Sequence, residues 1–193
     1  MSDTGWQSPS TMADDDAVGT VTWANPDNAK VSDNSYATAS PAGLGTFVYI
    51  HYLKATNFNF SIPVGATING ILVEAEVVDL SPYNSAFESI TYIVKADGSY
   101  GTANKVTNPQ VTQLPTTEAY ISFGASNDLW SETWAYTDIN DSDFGVGISF
   151  SYSDEEETGD IKADHIRIKV YYTVASATIQ GISTIQGIQS ITL

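Results

Sequence analysis

The chain has 193 residues, no cysteine and a formal net charge of −16, from 7 Lys and Arg against 23 Asp and Glu. It therefore forms no disulfide framework, thiol nucleophile or thiolate metal site. Because so negative a chain repels phosphate backbones and anionic lipid, we expect no nucleic-acid and no membrane partner. The first residues carry neither a basic region nor an apolar run, so no signal peptide is predicted and we expect synthesis in the cytoplasm.

The first quarter of the chain is mostly polar and is broken by turn signals. Residues 1–17 include three consecutive aspartates, which predicts a polar N-terminal arm. Short strands are predicted at 20–23 and 35–38. Residues 46–53 are apolar on both faces, which is typical of a central strand covered on two sides.

Regular alternation of apolar and polar residues predicts the remaining strands. They span 57–62, 68–79, 89–96, 119–124, 144–152 and 164–174. The last is the clearest, because its residues alternate between two faces. The inner face carries Ile166, Ile168, Val170, Tyr172 and Val174, and the outer face carries Arg167, Lys169, Tyr171 and Thr173. No amphipathic helix is predicted. The sequence therefore indicates an all-β fold, an antiparallel β-sandwich of jelly-roll type over residues 18–175.

The C-terminal tail, residues 176–193, follows a different pattern. The unit Thr-Ile-Gln-Gly-Ile repeats with a period of six, and isoleucine recurs at every third position. The residues concerned are Ile179, Ile182, Ile185, Ile188 and Ile191. Neither a flat strand nor a helix buries such a stripe on one face, whereas three chains wound together do. We predict an oligomerisation or docking tail, most simply trimeric; a free terminus or an extra edge strand is the alternative.

Two glutamates on one strand raise the question of catalysis. Glu74 and Glu76 share a face of the strand at 68–79, about 7 Å apart by strand geometry. Paired carboxylates on a β-sandwich resemble a glycosidase arrangement. Arg167 and Lys169 have the same spacing on the closing strand, so cross-strand ion pairs on the surface are the favoured interpretation.

Residues 138–143 contain oxygen ligands suited to calcium. Asp138, Asn140, Asp141 and Asp143 resemble a calcium loop but lack the following Gly and distal Glu of an EF-hand. Asp and Asn also cap turns by binding their own backbone, which is the commoner explanation. We therefore predict no metal and no cofactor.

No catalytic residue is predicted. His51 and His165 are the only histidines. Asp164 precedes His165, but neighbours on a strand point to opposite faces, so they form no dyad. Serine-hydrolase, zinc-protease and phosphate-loop motifs are lacking in the sequence. We expect a protein that is not an enzyme.

Three aromatic residues lie in the long connection at 128–143. Trp130, Trp134 and Tyr136 are candidates for a platform on which a sugar stacks. Tryptophan is usually mostly buried, so the favoured interpretation is that they plug one end of the core.

Several stretches together resemble the β-sandwich domains of structural proteins from tailed phages and prophages. They are Trp-Ala-Asn-Pro at 23–26, Ser-Asp-Asn-Ser-Tyr-Ala at 32–37, the run from Phe58 to Ile71, Leu-Trp at 129–130 with Trp134, Asp-Ile-Asn at 138–140 with Phe-Gly-Val at 144–146, and the closing strand at 164–173. The resemblance covers about residues 20–174. It implies a virion location in a tail, fibre or decoration component, with copies of itself and other virion proteins as partners.

These patterns lead to two functional expectations. The first is a non-enzymatic phage virion structural protein, made in the host cytoplasm, which self-associates or docks through its tail. The alternative is a carbohydrate-binding module that recognises a glycan, such as one on the host surface.

Overall fold

A computed structural model describes residues 1–41, 47–81, 83–153 and 159–175. Over these residues two five-stranded antiparallel sheets pack against one core, which confirms the predicted all-β sandwich. The strands are β1 (Ser2–Asp3), β2 (Thr11–Asp15), β3 (Ala37–Ala39), β4 (Val48–Tyr49), β5 (Tyr52–Thr56), β6 (Thr67–Asp79), β7 (Ala86–Val94), β8 (Ala119–Ala125), β9 (Gly145–Tyr152) and β10 (Ile161–Thr173).

Helical structure is slight. The described residues contain a 3-10 turn at Pro26–Ala29 and one short helix, α1, at Tyr136–Ile139. In this part of the chain, no helix has both the length and the apolar character needed to cross a membrane.

Strands β6 and β10 form the centre of the first sheet. They pair antiparallel over almost their whole length, with Ile168 opposite Val73. Strand β8 flanks β6, while β1 and β3 share the far edge of β10. The alternation read from the sequence is confirmed here, because the predicted inward residues are buried. They are Ile71, Val73, Ala75 and Val77 on β6, and Ile166, Ile168 and Val170 on β10. The last two inward predictions fail in part, because Tyr172 follows a register shift and is only partly buried, and Val174 lies beyond β10 and is exposed.

The second sheet is centred on β5 and β9. Its order is β2, β5, β9 and β7, and β4 pairs with the C-terminal end of β9. Every residue of β9 is buried. The first and second sheets each turn one face to the core. Each large apolar side chain fully buried there, such as Val, Ile, Leu or Phe, contributes about 1.5–3 kcal/mol of hydrophobic stabilisation.

The outer face of each sheet is covered by another segment of the chain. On the second sheet, Tyr100 stacks on Tyr52 with ring centroids 4.5 Å apart. A Cβ atom on Gly147 would lie 2.5 Å from Cε1 of Tyr100, so glycine makes room for that ring. On the first sheet, the rings of Trp6 and Tyr36 lie over basic side chains of β10.

The prediction that residues 1–17 form an arm is wrong. Strand β1 pairs with β10 in the first sheet, and β2 pairs with β5 in the second. Met12 belongs to the core. Edge strands are held by backbone hydrogen bonds as well as by apolar side chains, so a polar sequence does not prevent pairing.

The strand predicted at 57–62 is also absent. Asn57 and Asn59 have φ angles of 57° and 54°, in the left-handed region that asparagine tolerates. The chain is irregular here, although Phe58, Phe60 and Ile62 are buried as predicted. Periodic burial therefore arose without strand geometry.

Other predicted strands differ in their bounds. The segment at 46–53 is divided into β4 and β5. At 20–23 the structure has only an isolated bridge between Val21 and Ile50. The predictions at 35–38, 89–96, 119–124 and 144–152 correspond to β3, β7, β8 and β9. The predicted tail at 176–193, with its five isoleucines, lies outside the described residues.

Candidate functional site

Glu74 is engaged in an ion pair on the outer face of the first sheet. Its Oε2 atom accepts hydrogen bonds from Nε of Arg167 at 2.8 Å and from Nη2 at 2.6 Å. The guanidinium lies 3.8 Å from the ring centre of Tyr120 and 4.5 Å from that of Trp6. The predicted pairing of Glu74 with the closing strand is therefore confirmed.

The second predicted ion pair does not form. Antiparallel pairing places Lys169 opposite Leu72 and Glu76 opposite His165. The ammonium of Lys169 instead lies 4.5 Å from the ring centre of Trp6. Glu76 is consequently directed into a different group of side chains.

In the acidic loop at 138–143, side-chain oxygens accept hydrogen bonds from backbone amides. Asp138 accepts a hydrogen bond from the Ala135 amide at 2.8 Å, and Asp141 accepts one from the Asp143 amide at 2.9 Å. Asn140 bonds both the amide and the carbonyl of Ile62. The capping interpretation is supported, because these oxygens satisfy backbone donors.

The three aromatic residues of the long connection close one end of the core. Trp130 is fully buried, and its Nε1 donates to the Ile71 carbonyl at 3.0 Å. Trp134 packs its ring against Phe144, with centroids 5.4 Å apart, and Tyr136 is only partly exposed. A three-residue sugar platform is therefore wrong, since Trp130 offers no face to a ligand.

A group of carboxylates that the sequence analysis did not identify lies on the outer face of the first sheet. Glu76 of β6, Glu118 just before β8 and Asp164 of β10 each place a carboxylate oxygen within 4.8 Å of the other two. We call these three residues the carboxylate cluster. Asp164 is fully buried. Among the described residues, no lysine or arginine forms an ion pair with any of them.

A β-bulge places Asp164 in the cluster. The pairing of β10 with β6 shifts between Ala163, opposite Val77, and His165, opposite Glu76. Asp164 is the extra residue, and its carboxylate reaches the same outer face as His165. The expectation that neighbouring strand residues point to opposite faces fails at this position, because a bulge interrupts alternation.

The segment before β3 folds over the cluster and binds two of its members. The hydroxyl of Tyr36 donates to Oε2 of Glu118 at 2.6 Å. The amide of Asn34 donates to Oδ2 of Asp164 at 3.1 Å. The hydrogen bond to Glu118 is the main reason that the pKa of Tyr36 rises to about 12.

His165 lies beside the cluster and is held on both sides. Its Nε2 is 2.8 Å from the Ser8 hydroxyl, and its Nδ1 is 3.0 Å from the Tyr120 hydroxyl. Burial, followed by the nearby charge of Arg167, lowers the pKa of His165 below its usual value. The ring is therefore largely neutral at pH 7. Burial, with a hydrogen bond to Glu76, raises the pKa of Tyr120.

Comparisons with known proteins do not assign this chain to a family. A scan of family models and searches of curated proteins and of solved structures all found no match.

Proposed function

We propose that this protein is a non-enzymatic structural subunit of a larger assembly, in which the β-sandwich is a preformed body and the tail joins it to other chains. The observation that carries this proposal is the run of five isoleucines at every third position after the last strand. The core of the described residues is formed between Met12 and Val170.

The spacing of the tail favours contact between chains. A stripe with a period of three does not fall on one face of a strand or of an α-helix. A repeated unit this short buries its apolar edge only against neighbouring units. Each isoleucine left in water would forgo roughly 25 cal/mol per Å² of apolar surface that a partner could cover. Three copies of the tail wound together are the simplest arrangement that satisfies the pattern.

The body suits close packing of many copies. A net charge of −16 keeps such a protein soluble at high local concentration. The outer faces of both sheets carry segments of the same chain, with Tyr100 on one and Trp6 on the other. The resemblance to tailed-phage structural proteins makes a virion the proposed location, as part of a tail, a fibre or a decoration protein.

Carbohydrate binding was the alternative expectation, and it depended on three aromatic residues. Burial of Trp130 removes one member of that platform and favours the assembly role.

The molar mass in solution tests the assembly role. We expect the full chain to give about three times its mass of 20.7 kDa in size-exclusion chromatography with light scattering. The double variant Ile182→Ser, Ile188→Ser is expected to be monomeric. The matched variant Gln180→Ser, Gln186→Ser changes the same part of the tail and should remain trimeric. A monomeric full chain, or equal masses for both variants, would contradict the proposal.

The virion location needs a separate measurement. Cryo-electron microscopy of a native particle should place the sandwich in a tail, fibre or decoration density. Its absence from particles that carry all their other proteins would count against a virion role and would leave the self-association result intact.

A further inference from the structure

We propose that the carboxylate cluster of Glu76, Glu118 and Asp164 is a binding site for one Ca²⁺ ion. This inference depends on side chains of the sandwich, not on the tail, so it is independent of the proposed function.

The spacing of the oxygens fits a single ion. Calcium binds oxygen ligands at about 2.3–2.6 Å, so two oxygens on opposite sides of one ion lie about 4.6–5.2 Å apart. One carboxylate oxygen of each residue lies within 4.8 Å of the other two. All three side chains can therefore reach a common centre without a change of backbone.

The buried Asp164 carboxylate supplies the second, independent observation. The residue has no exposed surface, and its Oδ2 accepts the Asn34 amide. Its Oδ1 is buried and has no hydrogen-bond partner. Burying a carboxylate oxygen without a hydrogen-bond partner costs free energy, because the contact it made with water is not replaced. Glu76 repeats the pattern, since its Oε2 is also buried and without a partner.

Within the part of the chain that the structure describes, no lysine or arginine forms an ion pair with these oxygens. The nearest guanidinium, that of Arg167, binds Glu74 through two nitrogens. Lys162 lies over the ring of Tyr36, at 5.2 Å from its centre, and forms no ion pair within the described residues. Three like charges at this separation repel one another, and a divalent cation relieves that repulsion.

The ligand chemistry indicates calcium among the divalent cations. The three side chains offer only oxygen, which hard cations prefer, and both ring nitrogens of His165 are already engaged by Ser8 and Tyr120. Magnesium demands nearly ideal octahedral geometry at 2.0–2.1 Å, whereas calcium accepts irregular sets of six to eight oxygens. Water molecules would complete the coordination.

A bound ion would link three separate parts of the first sheet. Glu76 lies on β6, Glu118 at the start of β8 and Asp164 on the β10 bulge. Tyr36 and Asn34 form hydrogen bonds to two of these carboxylates. The ion would therefore also stabilise the position of the segment before β3. Binding of calcium to the folded state alone raises thermal stability in proportion to the logarithm of its concentration.

Calorimetric titration of the full chain with CaCl₂, after removal of metal with a chelator, tests the site. We expect saturable binding of one ion with a Kd of about 10⁻⁵–10⁻³ M, as for sites of moderate charge and rigidity. Glu118→Gln and Asp164→Asn should each weaken binding at least about tenfold, in line with the loss of one charged ligand. Asp143→Asn removes the same charge from the acidic loop and should leave Kd unchanged.

The outcomes separate the site from its alternatives. Thermal unfolding with and without CaCl₂ serves as a second measurement, in which the melting temperature should rise for wild type and Asp143→Asn only. If Asp164→Asn does not fold, Glu118→Gln decides alone, because Glu118 is only partly buried. Absence of saturable binding to wild type, loss of binding in Asp143→Asn, or equal affinity for MgCl₂ would each overturn the proposal.

Discussion

Asp15 on the outer face of the second sheet and the carboxylate cluster on that of the first differ in their hydrogen-bond and ion-pair partners. On the second sheet, Asp15 receives hydrogen bonds from the Tyr100 hydroxyl at 3.0 Å and from Lys54 at 3.3 Å. Burial alone would raise the pKa of Asp15, but these bonds and one from the Ala17 amide outweigh it and lower that pKa. On the first sheet, three carboxylates share one region, and no lysine or arginine of the described ranges forms an ion pair with them.

On the outer face of the second sheet the contacts depend on room for a ring, whereas on that of the first they depend on charge. Tyr100 can reach Asp15 only because glycine occupies position 147 beneath its ring. The first sheet instead holds polar groups together through Arg167, Tyr36 and the buried Asp164. We therefore expect added volume beneath Tyr100 to damage the second sheet, and changes of charge, pH or ion concentration to affect the first.

The largest effect is expected from added volume in the second sheet. A Cβ atom on Gly145 would lie 1.9 Å from the carbonyl oxygen of Ala55, and backbone cannot easily move. Gly145→Ala should lower the free energy of unfolding by about 3 kcal/mol. A Cβ atom on Gly147 would clash with the Tyr100 side chain, which can move more easily than backbone. Gly147→Ala should therefore lower the free energy of unfolding by less, about 1–2 kcal/mol.

Urea unfolding measures both losses. Ser122→Ala, a change of one atom on the exposed face of the first sheet, is the control and should stay within about 0.5 kcal/mol of wild type. A larger loss for Gly147→Ala than for Gly145→Ala would contradict this expectation. It would mean that the position of the Tyr100 ring matters more to stability than the close approach of Gly145 to the Ala55 backbone.

A smaller loss is expected when a cation is removed from the first sheet. Arg167→Met deletes two hydrogen bonds to Glu74 and the contacts with the rings of Trp6 and Tyr120. We expect a loss of about 2 kcal/mol, since Glu74 is left partly buried without its partner. Lys54→Met removes a single, longer bond to Asp15 and a contact with the ring of Tyr100, and should cost about 1 kcal/mol. Equal losses in urea unfolding would show that the second hydrogen bond and the second ring at Arg167 add nothing.

The sequence was sufficient to identify the central strands, because their burial follows the alternation of side chains. In β6 and β10 the inward residues, the outer position of Glu74 and its pairing with the closing strand were all predicted from spacing. The partner of Glu76 was not predicted correctly, because two strand registers that differ by two residues bury the same apolar faces.

The carboxylate cluster could not be predicted, for a related reason. The bulge at Asp164 breaks the rule of alternation that located β10, and sequence alone does not mark it. Glu118 and Glu76 are distant in the chain and meet only because β8 pairs with β6. One sequence signal does survive: an aspartate within an otherwise apolar and basic strand contradicts its surroundings, and such a contradiction is typical of a functional or irregular position.

The smallest effect is a dependence of stability on pH that arises from His165 on the first sheet. His165 faces Ser8 and Tyr120, with Glu76, Asp164 and Arg167 nearby, and its pKa is lowered in the folded protein. In the unfolded chain the pKa of a histidine is about 6.5. Near and below that pH the unfolded state therefore binds more protons at His165 than the folded state does. Stability should fall as pH drops below about 6.5, by at most about 1.4 kcal/mol per pH unit, and this contribution should vanish above that pH.

Urea unfolding between about pH 5.5 and 7.5, in chelator so that no metal contributes, measures the slope. His165→Gln should flatten it, because the variant has no imidazole to protonate. Ser122→Ala keeps the imidazole of His165 and should keep the wild-type slope. If His165→Gln leaves the slope unchanged, protonation of His165 is not the cause, and the contrast between the two faces would concern packing alone.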